Sequence, residues 1–481
     1  MKKFLFYFLT FAFLLTLAGC TAPGTKNSTG DNPKGAITIV DDQGKTINMQ
    51  EPARRIISLY SAHTENLFAL GLDEEIIGVG KADSHPPRVI TKDIYDYRSD
   101  PEKVIAVDPD MVLIRPFIAR SSPDFVRALE NAGINVVCLY PDTFDDFAPY
   151  INNLARLTGR EKEAETLIND FTRKLKEIKN ITKNIEDKKG VFFESTEREY
   201  RTITNDCMAA NAIRIAGGAN VATDARPIKE GSSIASYGLE RILARADEID
   251  VYVAQKGAMN PGGTPRAIRN RPGFDTIKAI RDDKIHNIDE KLVSSPTFRF
   301  ATGVHEMARF FYPEIFDDLS KFKTDAAITR QEMAEITVKH KHKPVFTANA
   351  KYYKEHYHER HEKHVYGGFA DVPVNHPYFN YIETAVLSGY IHCEDIKMFY
   401  PEKQVTRDEL AHIIFTLFDV KDNPASIEIK DIAHCKNADI IKIICQSNIM
   451  DLDQEANFRP QAHVSGNDVL ASLERAEMLF R

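Results

Sequence analysis

Between Glu161 and Ile185, apolar residues fall at Ala164, Leu167, Ile168, Phe171, Leu175, Ile178, Ile181 and Ile185. Steps of three and four are the helical period, and charged residues fill the other faces. No Pro or Gly interrupts the run. At 1.5 Å per residue it predicts a rod of roughly 37 Å, longer than most globular helices. The stretches before and after it read as alternating strands and helices. The pattern predicts an α/β protein of two lobes joined by this long rod, with function in the cleft between them.

Ahead of the rod, Asp41-Asp42-Gln43-Gly44 marks a hairpin turn within 36–47. Apolar runs at 54–59, 75–79, 111–114 and 135–139 read as strands, with helices expected over 64–70, 102–107 and 124–131. Short connections argue for a mostly parallel sheet covered on both faces. Such sheets bind ligands beyond the carboxyl ends of their strands. Those ends carry Tyr60, Ser61 and His63, then Lys81 and His85, then Arg115, then Tyr140, with Tyr95, Tyr97 and Arg98 on a neighbouring loop. Tyrosine, arginine and histidine on loops suit an aromatic or anionic ligand, or a chelated metal.

Beyond the rod, strands over 190–194, 250–255 and 285–288 alternate with helices over 207–216, 239–245, 274–280 and 300–311. The loop ends hold Ser195, Arg201, Thr202, Tyr237, Gln255, Met259, Asn260 and Arg299, and the Gly-rich stretch 257–263 is expected to form a mobile wall. One piece recurs in both lobes. Glu102-Lys-Val-Ile-Ala ahead of Asp110-Met-Val-Leu matches Glu240-Arg-Ile-Leu-Ala ahead of Asp250-Val-Tyr-Val. The helix dipole favours a glutamate in a first turn, so each one taken alone marks a helix start.

Composition changes the picture at three points. Acids (70) outnumber Lys and Arg (62) and the basic residues are dispersed, which disfavours a nucleic-acid partner. There is no Trp. At the N-terminus, Lys2 and Lys3 precede the apolar run 4–17 and then Leu17-Ala18-Gly19-Cys20, the layout of a cleavable signal over residues 1–19. The cysteine at the cut resembles a bacterial lipobox, which implies lipid attachment at Cys20 and a membrane-anchored, extracytoplasmic protein. Residues 20–35 then read as a flexible tether. The remaining cysteines, Cys138, Cys207, Cys393, Cys435 and Cys445, are odd in number and lack a paired spacing, although one bridge among the last three is open.

Residues 36–318 resemble the substrate-binding lipoproteins of ABC importers for iron–siderophore complexes, haem and cobalamin. The residues that carry the resemblance are Arg54-Arg-Ile-Ile-Ser-Leu with 64–71, the run 100–113, Arg271-Pro-Gly-Phe274, and 285–290. The resemblance implies two Rossmann-like lobes joined by a long rigid helix: an N-terminal lobe over 36–153, an interlobe helix over 154–186 and a C-terminal lobe over 187–318. It implies a clamped iron(III) chelate (siderophore or haem) or corrinoid, no required cofactor, and partnership with an ABC permease and its ATPase. In the family one glutamate on each lobe docks onto permease arginines, and by motif these are Glu102 and Glu240. Cobalamin and hydroxamate binders often carry tryptophan in the cleft. Without it, aromatic contact falls to Tyr60, Tyr97, Tyr140 or Tyr237, charge to Arg98, Arg115, Arg201 and Arg299, and metal contact to His63 or His85. Gln255, Met259 and Asn260 complete the expected cleft set. No nucleophile with an adjacent base is identifiable, so no catalysis is expected. Two alternatives stay open on the sequence: a metal-insertion or chelatase-like enzyme on the same layout, and a wall-attached structural protein.

The final third is of another kind. Thr329 and Glu332 form a capping box at a helix start. Residues 319–366 read as a linker whose His356, His358, His361 and His364 either meet a metal or belong to a solvated helix. Over 367–481 the chain repeats itself at an offset of about 60 residues. Phe369-Ala-Asp-Val recurs as Ile429-Lys-Asp-Ile, and Phe399-Tyr-Pro401 with Val405-Thr406 as Phe458-Arg-Pro460 with Val464-Ser465. These mainly helical repeats resemble S-layer homology modules, which implies a cell-wall polysaccharide as a further partner. Thr329-Arg-Gln-Glu332 and Thr406-Arg-Asp-Glu409 match the Thr-Arg-x-Glu signature, so Arg330 and Arg407 are implied to meet an anionic glycan. The last copy has Ser465-Gly-Asn-Asp468, without the arginine.

Overall fold

The computed structural model describes residues 36–346, 369–373, 376–393, 395, 397–420 and 427–480. The signal, the tether with Cys20, and His356, His358, His361 and His364 lie outside the described residues.

A hairpin of β1 (Ile37–Val40) and β2 (Thr46–Met49) precedes the first sheet. That sheet contains β3 (Ile56–Ser58), β4 (Ile76–Gly80), β5 (Asp93–Tyr95), β6 (Met111–Ile114) and β7 (Asn135–Cys138), all parallel, in the order β5-β4-β3-β6-β7. The second lobe introduces β8 (Gly190–Glu194), β9 (Thr202–Ile203), β10 (Ala219–Asn220), β11 (Arg226–Pro227), β12 (Ile234–Ser236), β13 (Val251–Lys256) and β14 (Ile285–Asp289). Its main sheet is parallel, in the order β10-β8-β13-β14, while β11-β12-β9 form a small antiparallel sheet. The switch of strand order in each lobe is what opens a crevice at the carboxyl ends.

Alternation along the strands decides which core each side chain joins. Ile56, Met111, Leu113 and Val137 face a core that both lobes share; Ile57, Val112, Ile114 and Val136 face a second core on the outer side of the first sheet. In the second lobe Val191, Phe193, Val251 and Val253 enter the shared core, and Phe192, Tyr252 and Ala254 the outer one.

The shared core closes on the helix Glu161–Thr182. Its 22 residues make it about 33 Å long. Ala164, Phe171, Leu175 and Ile178 are buried, and the Phe171 ring packs against Phe147 at 4.8 Å and Phe298 at 5.9 Å. The expected stripe breaks at its last turn. Ile181 is exposed, and Thr182 is buried instead, donating its hydroxyl to the Ile215 carbonyl at 2.9 Å. Nor is 154–186 a single helix. The helix Phe147–Thr158 ends at Gly159, whose left-handed backbone (φ 66°) caps it, and the long helix starts anew at Glu161. The helix expected over 274–280 is likewise split. Ile277 is extended between the short turns Phe274–Thr276 and Lys278–Arg281, because Lys278 and Ala279 donate their amides to the Ala246 and Ile249 carbonyls.

At the base of the crevice the lobes are bridged directly. Arg299 donates two hydrogen bonds to Glu65 (2.6 and 2.9 Å), Asn66 donates to the Pro296 carbonyl (2.9 Å), and Lys291 donates to Ser61 (2.7 Å).

The C-terminal unit contains helices Arg330–His340, Phe379–Leu387, Arg407–Leu417, Ala438–Gln446 and Gly466–Phe480. A buried cluster fastens it to the second lobe: Arg309 donates to Asp317 and Glu306, and Glu306 accepts the Val345 amide. Three helix starts then form a closed ring. Arg330 N–H donates to the Lys403 carbonyl, Arg407 N–H to Ala462, and Gly466 N–H to Ala326. Each acceptor lies four residues after a buried phenylalanine, namely Phe399, Phe458 and Phe322. The ring thus contains a third copy of the half-module, beginning at Phe322, that the repeat pattern does not show. In the first two positions the arginine stacks on the phenylalanine ring (4.8 and 4.6 Å) and donates to its carbonyl (2.8 and 2.6 Å). In the third, a Cβ on Gly466 would lie 1.9 Å from the Phe322 carbonyl oxygen. The loss of arginine there has a backbone cause. The five described cysteines outside the signal are all free thiols, so the bridge left open among Cys393, Cys435 and Cys445 is not formed.

Two outcomes are expected in urea denaturation. Arg299→Met strands the buried Glu65 carboxylate and destabilises the chain by about 3–5 kcal/mol, part of which returns when Glu65→Met is added. Gly466→Ala overpacks the ring and costs about 1–3 kcal/mol, read as a lower midpoint for the C-terminal unit.

Candidate functional site

The carboxyl ends of the two parallel sheets face one another, since Ser61 follows β3, Lys291 follows β14, and the two side chains touch. The walls of the crevice are therefore built from residues that leave strands.

On the first lobe these residues form one aromatic and cationic face. The Arg115 guanidinium lies 4.8 Å from the Tyr60 ring centroid and 5.2 Å from that of Phe117, and Arg98 lies 5.1 Å from Tyr97. Tyr97 meets Phe117 edge-on at 6.5 Å, and Tyr60 lies 6.0 Å from Tyr140. Phe117 is 39% exposed, large for an aromatic ring in a folded chain. Burial raises the Tyr140 phenol above its ordinary value, so it stays a neutral hydroxyl. Such a face offers ring stacking together with positive charge.

Beneath it lies a polar floor. His63 is fully buried, with Nδ1 against the Tyr150 hydroxyl (2.7 Å) and Nε2 against the Ile114 carbonyl (3.1 Å). Burial lowers it to about 4 and keeps it neutral. With both nitrogens engaged inside the lobe it is a brace, and the expectation that it meets a metal is corrected on that ground. Burial, with Arg299 nearby, lowers His85 as well. Asp83 accepts from the Thr64 hydroxyl (2.5 Å) and from Gly80 N–H (3.2 Å); burial raises it to about 7 against those hydrogen bonds.

The second lobe departs more from the expected set. Asn260 is fully buried: its Oδ1 accepts the Glu197 amide (2.8 Å) and its Nδ2 donates to Glu194 (2.9 Å). Glu290 accepts the Ala258 and Met259 amides (3.1 and 3.0 Å). The stretch 257–263 is pinned from two sides, and the mobile wall is corrected to a fixed one. Met259 is the large apolar side chain that projects from it, 46% exposed. Gln255 is buried, donating to the Ser195 carbonyl and accepting from the Ser294 hydroxyl. Tyr237 packs in the outer core against Phe192 at 5.7 Å, and Arg241 covers its ring, which takes it out of the crevice wall. Arg201 is half-buried and paired with Glu199, and Arg299 is spent on Glu65. Sequence reasoning stopped one or two residues short of Phe117 and Lys291, both of which follow strand ends; it had no signal for Glu65 and Asn66, which act across lobes.

The recurrent motif divides into two roles. Asp110 accepts the Arg54 and Arg55 amides (2.8 and 2.9 Å) ahead of β3, and Asp250 accepts the Gly190 amide (2.7 Å) at β8. The aspartates thus hold the entry to a central strand in each lobe. Glu102 and Glu240 stand exposed in the first turns of Glu102–Ile105 and Leu239–Ala244. Neither is paired with a cation among the described residues. No cluster of three or more His, Cys, Asp or Glu among the described residues is arranged to hold a metal, and no described helix is long and apolar enough to cross a membrane.

In the C-terminal unit Arg330 is almost buried, with its donors on Phe399, Glu409 and the Cys393 sulfur, whereas Arg407 is half-buried and donates to the Phe458 and Asp451 carbonyls. Two grooves flank them, of about 600 and 420 Å³.

Comparison with known proteins agrees with this division. Residues 56–292 match the family described as periplasmic binding protein, and 368–411 match the S-layer homology domain. The uncharacterized ABC transporter substrate-binding lipoprotein YvrC of Bacillus subtilis is 26% identical over 311 residues, covering 63% of this chain and 95% of that protein. The vitamin B12-binding protein of Vibrio campbellii is 23% identical over 262 residues, covering 54% and 90%. A solved structure described as a possible iron-binding (periplasmic solute-binding) protein from Staphylococcus epidermidis aligns with a TM-score of 0.48 at 25% identity, covering 55% of this chain and all of that one. The chain thus carries a periplasmic binding protein domain over residues 56–292 and an S-layer homology domain over 368–411.

Proposed function

We propose that this protein is the extracytoplasmic substrate-binding component of an ABC importer, and that its cargo is an iron(III) chelate, haem or a corrinoid. The observation that carries the reading is the aromatic and cationic face of Tyr60, Tyr97, Phe117 and Tyr140 with Arg98 and Arg115 at the crevice. A large, partly aromatic anion gains ring contact and charge pairing from it together. Lys291 and Met259 supply the opposing wall. His85 remains in the proposed set, and His63, Gln255, Asn260, Tyr237 and Arg299 act in support. Relatives named for ABC transport and vitamin B12 binding support this choice of cargo class.

Glu102 and Glu240 are the proposed permease contacts, being exposed and free of intramolecular ion pairs among the described residues. Cys20 is the proposed lipid attachment, holding the chain at the outer face of the membrane, and the C-terminal unit is the proposed contact with wall polysaccharide. The shared core and the Glu65–Arg299 bridge favour small rocking of the lobes over a wide hinge swing.

Visible absorption of protein purified from its source is expected to show a bound chromophore. Protein stripped of cargo is expected to shift its melting temperature upward with haem, ferric siderophore or cobalamin. No shift with any of the three would overturn the cargo class. Glu102→Ala with Glu240→Ala is expected to lower uptake at least about tenfold at unchanged cargo affinity, the loss of two charged contacts. Intact uptake would remove the docking assignment.

A further inference from the structure

The two grooves of the C-terminal unit are alike in backbone and unlike in chemistry. The larger is lined by the cations Arg330, Lys403 and Lys436 and the carboxylates Asp395, Asp408 and Glu409. The smaller is lined by Arg407, Arg459 and Arg475 with Asp451, Asp453 and Asp468. In each, three cations meet three carboxylates among the described residues. Only the larger also holds histidines, His392 and His412, whose ring centroids lie 6.2 Å apart.

Those histidines sit on different elements. His392 is exposed on the segment after Ile391, beside Cys393, and His412 is half-buried in the helix Arg407–Leu417, one turn beyond Asp408. Arg330 and Lys403 both pair with Glu409 (3.1 and 3.2 Å). Asp395 accepts from the Tyr400 hydroxyl, and Asp408 Oδ2 accepts from Asn437 (3.0 Å), whereas Asp408 Oδ1 is buried and accepts no hydrogen bond among the described residues. The cations and carboxylates that line the groove are equal in number. A positive charge gained on the half-buried His412 is therefore uncompensated, and it counts for more there than on an open surface.

We propose that the larger groove is an acid-responsive site for a carboxylate-bearing saccharide, with His392 and His412 as its specificity-determining residues. The inference rests on the wall-binding reading of the C-terminal unit and deepens it. The histidine pair clasps the carboxylate, and the histidine-free smaller groove binds without regard to pH. Burial and the neighbouring His392 ring hold His412 below its ordinary value, which places the transition on the acid side of neutrality.

The test is co-sedimentation of the full chain with cell-wall sacculi isolated from the producing bacterium, at pH 7.5 and 5.5, with circular dichroism confirming the fold at both. Affinity is expected to rise about fivefold or more on acidification, the scale of one added charge pair. The rise is expected to shrink below about 1.5-fold in His392→Gln with His412→Gln, and to vanish on sacculi whose carboxylates have been amidated. Arg407→Ala, in the smaller groove, is expected to lower binding by the same factor at both pH values. A parent chain with no acid gain, a double variant that keeps the gain, or a gain that survives amidation would overturn the inference. No sedimentation at either pH would instead overturn the wall-binding reading itself.

Discussion

The shared core beneath the helix Glu161–Thr182 is the constraint on which the rest of the molecule depends. Phe171, Leu175 and Ile178 leave one face of that helix, and the residues they meet come from both lobes. Neither lobe could swing far from the other without exposing this layer, and at about 25 cal/mol per Å² of apolar surface that is costly. The crevice on the opposite side inherits its width from this packing. The Glu65–Arg299 bridge, itself nearly buried, ties the same two lobes again at the base.

With the lobes held, the parallel sheets place chemistry economically. Their carboxyl ends meet at the contact of Ser61 with Lys291, and every wall residue lies within a few positions of a strand end. The division of labour follows from burial. Side chains that point back into a lobe, such as His63 and Asn260, spend their polar atoms on the loops that support the wall. Those that point out, such as Arg98, Phe117 and Met259, stand exposed.

The C-terminal ring shows how close approach of backbone governs a motif. Arginine at the first two helix starts both stacks and donates, and the third start lies too near the Phe322 carbonyl for any side chain. The degenerate copy has kept the geometry of the ring and lost only the group that would not fit. Its Ser465 and Asp468 still exchange the hydrogen bonds of a capping box.

Much of this architecture is written locally. The 3.6-residue stripe of 161–178, the apolar runs of β3, β6, β8 and β13, and the boxes at Thr329 and Thr406 each depend on neighbours in sequence, so periodicity and capping rules reach them. The strand-end rule reached Tyr60, Tyr97, Arg98 and Arg115 for the same reason. What only the tertiary structure decided are pairings across distance. Arg299 and Glu65 are 234 residues apart, and nothing local distinguishes an arginine bound for a ligand from one bound for a carboxylate on the other lobe. The turn at Gly159, the exposure of Ile181 and the third half-module at Phe322 depend likewise on what lies opposite. A residue's type and spacing set what it can do. Its partners across the fold decide which of those things it does, because a buried polar group must be satisfied by whatever the packing brings within reach.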